Sequence, residues 1–254
     1  MIIRKSQQEI DTMARAGAVV AGTLALLGER ILPGVTTGEL DAVAEEFIRS
    51  HHGEPTFKGY KGYPAATCLS PNAMVVHGIP GAARLAEGDI LSVDVGVTLD
   101  GFVADSAWTF PVGSIAPETQ RLLDVCKAAL AAGIAEARPE NSIGDISRAV
   151  QTVTEEAGFS VIRSLVGHGV GRSMHEDPQV PNFVSSHTGP VLKEGMTIAI
   201  EPMITAGSAD VYIHDDDWSI STVDGSLAAH FEHTVAVTAE GPRVLTADAG
   251  VLVR

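Results

Sequence analysis

The 254-residue chain has little cysteine, little positive charge and no long apolar run. Its two cysteines, Cys68 and Cys126, form no CxxC pair. That fits a reducing compartment and excludes a zinc site built of cysteine alone. Lysine and arginine total 17 against 32 acidic residues, a net charge of −15. An acidic surface repels phosphate backbones, so no direct nucleic-acid partner is expected. A polybasic membrane patch is disfavoured on the same ground. The most apolar stretch, Ala16–Gly28, is thirteen residues long and too short to span a bilayer as a helix. Glu9 and Asp11 stand where a signal peptide is usually basic. The stretch reads as the buried face of an ordinary first helix, and the expected location is cytoplasmic. GxSxG, GxxxxGK[ST] and HExxH are missing, as is GxGxxG after a first strand. Serine-hydrolase, P-loop, zincin and dinucleotide chemistry therefore lack their signatures. What remains is 45% hydrophobic and 19% charged, a balance that excludes disorder.

Apolar periodicity predicts a long helix over 7–28. Pro33 and Gly34 break it, Thr36–Glu39 forms a capping box for a second helix, and Gly53 ends that one. An irregular stretch, Phe57–Tyr63, precedes strands at Met74–Val76, Ile90–Val97 and Phe102–Phe110. The order then recurs. Pro117–Ala137 is a long helix, Ser142–Asp145 starts another, and Gly158 ends it. Strands follow at Val161–Val166, Thr197–Ile200 and Phe231–Val237.

The recurrence is visible in letters. PGVTTGEL at 33–40 matches PENSIGDI at 139–146, an offset of 106. LAEGDILSVD at 85–94 matches LKEGMTIAIE at 192–201, an offset of 107. Two matches at nearly one offset indicate duplication. The fold class is α+β: two pseudo-symmetric α/β halves, roughly 1–112 and 113–254, sharing a mostly antiparallel sheet with helices outside. No long Pro/Ser-rich linker parts them, so 1–254 reads as a single domain.

The repeated strand closes on Asp94 in the first half and Glu201 in the second. Two more carboxylates stand in apolar strands, Asp105 in GFVADSAWTF and Glu232 in AHFEHTVAV, and these also align. A tight hairpin over Leu99–Gly101 brings Asp94 and Asp105 side by side. Four buried carboxylates repel one another and raise their own pKa values, and divalent cations remove that problem. His168 in GHGVG, His175 in SMHEDP and His77 in VVHGIP are the histidines placed to join them. His51, His52, His187, His214, His230 and His233 read as structural or exposed, with His230 alone sharing the Glu232 face. One imidazole among carboxylates suits Mn, Fe, Co or Zn. Two such ions support hydrolysis without a side-chain nucleophile.

With these residues in view, the sequence resembles a type I methionine aminopeptidase of the pita-bread fold. The motifs are GYKGYP, CLSPNAMVVHGIP, GDILSVDVG with GFVADSAWTF, GHGVGRSMHEDP, AIEP and FEHT, and the likeness runs nearly end to end. GYKGYP and VVHGIP speak against a prolidase or proline aminopeptidase of the same fold. A non-catalytic binding protein on this fold would be expected to lose ligands, and all five are present.

The resemblance implies that Asp94, Asp105, His168, Glu201 and Glu232 hold two divalent ions, with Asp105 and Glu232 bridging. It implies that Glu201 relays a proton, that His175 meets the scissile carbonyl, and that His77 meets the scissile amide nitrogen. It implies that the substrate's free amine reaches the ion held by Asp94. It further implies a methionine pocket of Tyr60, Tyr63, Cys68 and Trp218, and a monovalent cation near Asn72. The expected substrates are nascent polypeptides and peptides with a free N-terminal methionine and a small second residue, processed by a monomer. Three features depart from the pattern: Met174 where relatives carry an aromatic, Val76 where they carry Cys or Thr, and the acid run Asp215–Asp217 beside Trp218.

Overall fold

The computed structural model describes residues 1–247. The first half holds helices α1 (Gln7–Arg30) and α2 (Thr37–Ser50), then strands β1 (Glu54–Pro55), β2 (Thr67–Pro71) and β3 (Met74–Val76). A long hairpin, β4 (Ile90–Leu99) and β5 (Phe102–Pro111), completes it. The second half begins with α3 (Pro117–Ala135) and α4 (Ile143–Glu156). Short strands follow: β6 (Ser160–Val161), β7 (Gly167–Gly169), β8 (Glu176–Val180), β9 (Thr197–Ile200) and β10 (Met203–Thr205). The last are β11 (Val211–Ile213), β12 (Ile220–Thr222), β13 (Ala228–His230), β14 (His233–Thr238) and β15 (Gly241–Val244).

Helix starts are written locally. Ser6 with Glu9, Thr36 with Glu39 and Ser142 with Asp145 form reciprocal capping boxes, and α3 opens on Pro117. The end of α2 differs from expectation. The helix stops at Ser50, and His52 takes the left-handed turn at φ 61°. Gly53 matters for space instead, since a Cβ there would lie 2.7 Å from Val97 Cγ1. Helix α1 is long and apolar enough to cross a membrane by length and composition. Its face of Ile10, Met13, Val20, Leu24 and Leu27 is buried in the fold, chiefly against β4 and β5.

Every strand pairing is antiparallel. The larger ladders are β1-β4-β2 with β5 on β4, and β15-β14-β9-β7-β8. Smaller ones are β13-β10-β6 and β11-β12-β3. The two larger sheets meet where β5 runs beside β14, and hydroxyls stitch that seam. Thr234 Oγ1 accepts from Asp105 N–H (3.0 Å) and donates to Asp105 O (2.8 Å). One strand over, Thr109 Oγ1 ties β5 to β13, accepting from His230 N–H (2.9 Å) and donating to His230 O (2.8 Å). Glu232 N–H reaches Ala107 O directly (2.9 Å). Each half keeps its own apolar core under its own helix pair, and Trp108 packs against both.

The echo in the sequence recurs in contacts. Gly38 N–H donates to Gly81 O (2.8 Å), and Gly144 N–H to Thr188 O (2.7 Å). Leu85 N–H donates to Val35 O (2.9 Å), and Leu192 N–H to Asn141 O (2.7 Å).

Three strand expectations are corrected. Asp94 does not close its strand, because β4 continues to Leu99 and the turn falls at Asp100–Gly101 (φ 50° and 77°). The span 161–166 is not one strand; the chain bends at Arg163–Ser164, and pairing resumes at Gly167. The span 231–237 is interrupted at Phe231–Glu232, where the chain leaves β10 and joins β9. Strand β2, which carries Cys68, pairs along β4 and has no counterpart among the expected strands.

Candidate metal centre

The hairpin sets the first two carboxylates. Gly96 pairs with Asp105 and Asp94 with Ala107, so Asp94 and Asp105 sit diagonally on one face. In the second half Glu201 follows β9 and Glu232 precedes β14, flanking the pair Ile200–His233. His168 lies in β7, which joins β9 through Gly169 and Ile198. The five residues thus converge on the seam from both halves.

Ligand atoms of Asp105, His168 and Glu232 lie within 4.8 Å of one another. His168 Nε2 is 3.5 Å from Glu201 Oε1 and 3.7 Å from Asp105 Oδ2. On the far side of the ring, His168 Nδ1 lies 2.8 Å from Gly169 O. That contact fits an Nδ1–H donor and leaves the Nε2 lone pair facing the carboxylates, the tautomer a metal ligand needs.

Electrostatics give the same reading. Burial pushes the Asp105 carboxyl up to about 6. Burial, then repulsion from Asp105, pushes Asp94, Glu201 and Glu232 well above the usual carboxylate range. Asp94 Oδ1 and Glu232 Oε1 are buried with no hydrogen-bond partner. Orphaned acceptors, clustered negative charge and a pre-oriented imidazole together fit divalent cations.

The cluster opens into a cavity of about 330 Å³. Phe57, Tyr63, Cys68, Met174 and Trp218 supply its apolar wall. Tyr63 and Trp218 meet edge to face at 5.0 Å, and the Tyr63 hydroxyl donates to Gly78 O (2.8 Å). Burial pushes the Cys68 thiol up, so it stays protonated and serves as packing rather than as a nucleophile. Asp216, from the acid run, hydrogen-bonds Trp218 N–H (2.9 Å) and Ser219 N–H (2.8 Å) and so shapes the turn that presents the indole. Val76 also lines the cavity.

His77 and His175 face the same space. His77 sits in left-handed backbone at φ 60°, strained for a non-glycine residue, with its ring edge-on to Trp218. Burial lowers both pKa values to about 4, so both rings are neutral at pH 7. His175 lies 4.3 Å from His168, centroid to centroid. Its Nδ1 lies 2.8 Å from the Tyr60 hydroxyl. Tyr60 therefore does more than line a pocket.

His230 is the residue sequence reasoning undervalued. It is buried, both ring nitrogens lack partners, and Nε2 lies 3.8 Å from Glu201 Oε2 and 3.9 Å from Glu232 Oε2. The available signal was its two-residue spacing from Glu232. His233 is structural, bonded through Nδ1 to Thr246 Oγ1 (2.9 Å). Asn72 ties strands together: its side chain bonds Asp89 (2.9 Å) and Ile90 N–H (3.1 Å), and its carbonyl accepts from Ala228 N–H (3.0 Å).

Buried carboxylates around one imidazole, opening on a part-apolar cavity, define a metal-dependent hydrolase. The model of metallopeptidase family M24 matches residues 11–239, and the chain belongs to that family. It is 49% identical to a methionine aminopeptidase of Clostridium perfringens, over 97% of this chain and 99% of that one. The solved methionine aminopeptidase of Thermotoga maritima superposes with a TM-score of 0.96 at 43% identity, covering 98% of this chain and all of that one. A prolidase of Pyrococcus furiosus gives a TM-score of 0.78 at 23% identity, covering 97% of this chain and 66% of that one, a likeness of fold alone.

Proposed function

We propose that this M24 metallopeptidase removes N-terminal methionine from nascent proteins and peptides whose second residue is small. The observation that carries the reading is one cavity lined by both the carboxylate–histidine cluster and an apolar wall of Tyr63, Cys68 and Trp218. In this reading Asp94, Asp105, His168, Glu201 and Glu232 hold two divalent ions of Co, Mn, Fe or Zn. Such ions, when bound, polarise a carbonyl and acidify water.

The chain's own groups do the rest. Glu201 takes the proton from the attacking water and hands it to the departing amine. His175 donates from Nε2 to the scissile carbonyl oxygen as its negative charge grows. A Tyr60 O–H donating to Nδ1 holds His175 in the tautomer that makes this possible. His77 receives the scissile amide nitrogen. Tyr60, Tyr63, Cys68 and Trp218 enclose the methionine side chain, and soft, polarizable contacts suit a thioether. Met174 adds a flexible wall, which leaves room for leucine at low efficiency.

The same reading treats the described chain as one catalytic domain built by duplication, acting as a cytoplasmic monomer. Two buried free cysteines support the reducing compartment. A monovalent cation beside Asn72 completes the proposal.

The test is kcat/KM for Met-Ala-Ser, formyl-Met-Ala-Ser, Lys-Ala-Ser and Met-Lys-Ser, alongside Ala-Pro. Met-Ala-Ser should be cleaved and the others refused. Comparable rates for Met-Ala-Ser and Lys-Ala-Ser, or cleavage of the formylated peptide, refute the substrate assignment. Preferred cleavage of Ala-Pro would favour the prolidase chemistry instead.

A further inference from the structure

A buried ion pair lies beside the catalytic loop and takes no part in the proposed chemistry. Lys5 Nζ is 2.5 Å from Glu176 Oε2, with side chains 3% and 9% exposed. Glu176 directly follows His175 and opens β8. Its second oxygen, Oε1, accepts from Arg172 N–H (2.8 Å) and Ser173 N–H (3.2 Å). One carboxylate therefore draws together the two ends of the loop that carries Met174 and His175.

The lysine reaches this point through a gap made for it. A Cβ on Gly171 would lie 2.3 Å from Lys5 Cε, so a side chain at 171 would displace the lysine stem. Lys5 is itself fixed, since its N–H donates to Gly195 O (2.6 Å). A second, exposed tie joins the same loop to α1, where Arg172 meets Glu9 at 3.1 Å and lies over the Phe102 ring. On its inner side the loop presents His175, whose ring is held by Tyr60.

We propose that Lys5 and Glu176 are positioning residues: their ion pair sets where His175 stands over the metal cluster. Hydrogen bonds donated to a carboxylate are stronger than neutral ones, and Lys5 holds the Glu176 carboxylate where the loop's two N–H groups meet it. A displacement of about 1 Å at a reacting group costs on the order of 10²-fold in rate. The inference rests on His175 meeting the scissile carbonyl.

The test is a double-mutant cycle on metal-loaded enzyme with Met-Ala-Ser, using Lys5→Met, Lys5→Arg, His175→Ala and the double variant Lys5→Met/His175→Ala. Lys5→Met should lower kcat about tenfold or more, with KM and metal per chain unchanged. Lys5→Arg should restore most of the loss. In the His175→Ala background Lys5→Met should cost nothing further, because the group it positions is gone. An equal fold loss in both backgrounds, a loss of metal, or no loss at all overturns the positioning role while leaving His175 in place. Full activity of His175→Ala overturns the underlying assignment and this inference with it. Should Lys5→Met fail to fold, Lys5→Met/Glu176→Gln leaves no unpaired buried charge and enters the same cycle.

Discussion

The Tyr60 hydroxyl lies 2.8 Å from Nδ1 of His175, and the two rings stack at 5.5 Å. A residue from the irregular glycine-rich stretch thus buttresses a histidine 115 positions away. Tyr60→Phe keeps the ring and removes the hydroxyl. A neutral hydrogen bond contributes about 0.5–1.5 kcal/mol, so kcat should fall by about 2- to 13-fold with KM little changed. A pure KM effect in steady-state kinetics would show that Tyr60 only lines the pocket.

His175→Ala should separate transition-state stabilisation from metal binding. Removing a donor to a developing oxyanion costs about 10²–10³ in turnover. Elemental analysis should find metal content near that of the parent. Loss of metal would make His175 a ligand instead.

Asp105→Asn and Glu232→Gln should each empty the centre, because both carboxylates face the His168 ring within one cluster. Added Mn²⁺ or Co²⁺ should not restore full activity. Complete rescue by metal would refute the bridging assignment.

Chelation should change how stability responds to pH. In the metal-free protein burial holds Asp105 at about 6, against an ordinary value of 3.8. A carboxyl whose folded pKa is raised binds its proton more tightly when folded. Its stabilising contribution is present below the unfolded pKa and is lost as pH rises through about 6. Asp94, Glu201 and Glu232 shift in the same direction. The buried histidines, whose pKa values burial lowers from 6.5, oppose this trend below about pH 7, so the urea midpoint of chelated protein should fall from about pH 7 to pH 8, and saturating Mn²⁺ should flatten that fall. A flat profile after chelation would contradict the burial of these groups.

Gly17→Ala should destabilise the fold. Its Cβ would lie 2.0 Å from the Leu245 carbonyl oxygen, which is backbone and cannot swing aside. Overpacking of this kind costs about 1–3 kcal/mol. Equilibrium urea unfolding checks it, and an unchanged midpoint would mean that the 245–246 segment moves freely.

Local chemistry made much of this readable in advance. Capping boxes, the Asp100–Gly101 turn and the repeated carboxylate-bearing strands are written in neighbouring residues, and they led to Asp94, Asp105, Glu201 and Glu232. What escaped depends on distant partners. Glu232 leaves the ladder because its N–H goes to Ala107 across the seam. The two-residue spacing that puts His230 on the Glu232 face does hold, with Nε2 3.9 Å from Glu232 Oε2. The bond from Tyr60 to His175 and the pair of Lys5 with Glu176 span 115 and 171 positions, and no periodicity encodes them.

The hydroxyl-stitched seam has a thermodynamic consequence. Asp94 and Asp105 belong to one half, and His168, Glu201 and Glu232 to the other. Cations held there would act as rivets between two bodies that each have a core of their own. Binding free energy at the centre then becomes docking free energy between the halves. Ion affinity and the docking of the halves, which also share the apolar cluster of Met13 and Phe102 with Val170 and Leu245, are thereby linked, and a weakened stitch at Thr234 or Thr109, neither of them a ligand, would register as a looser grip on metal.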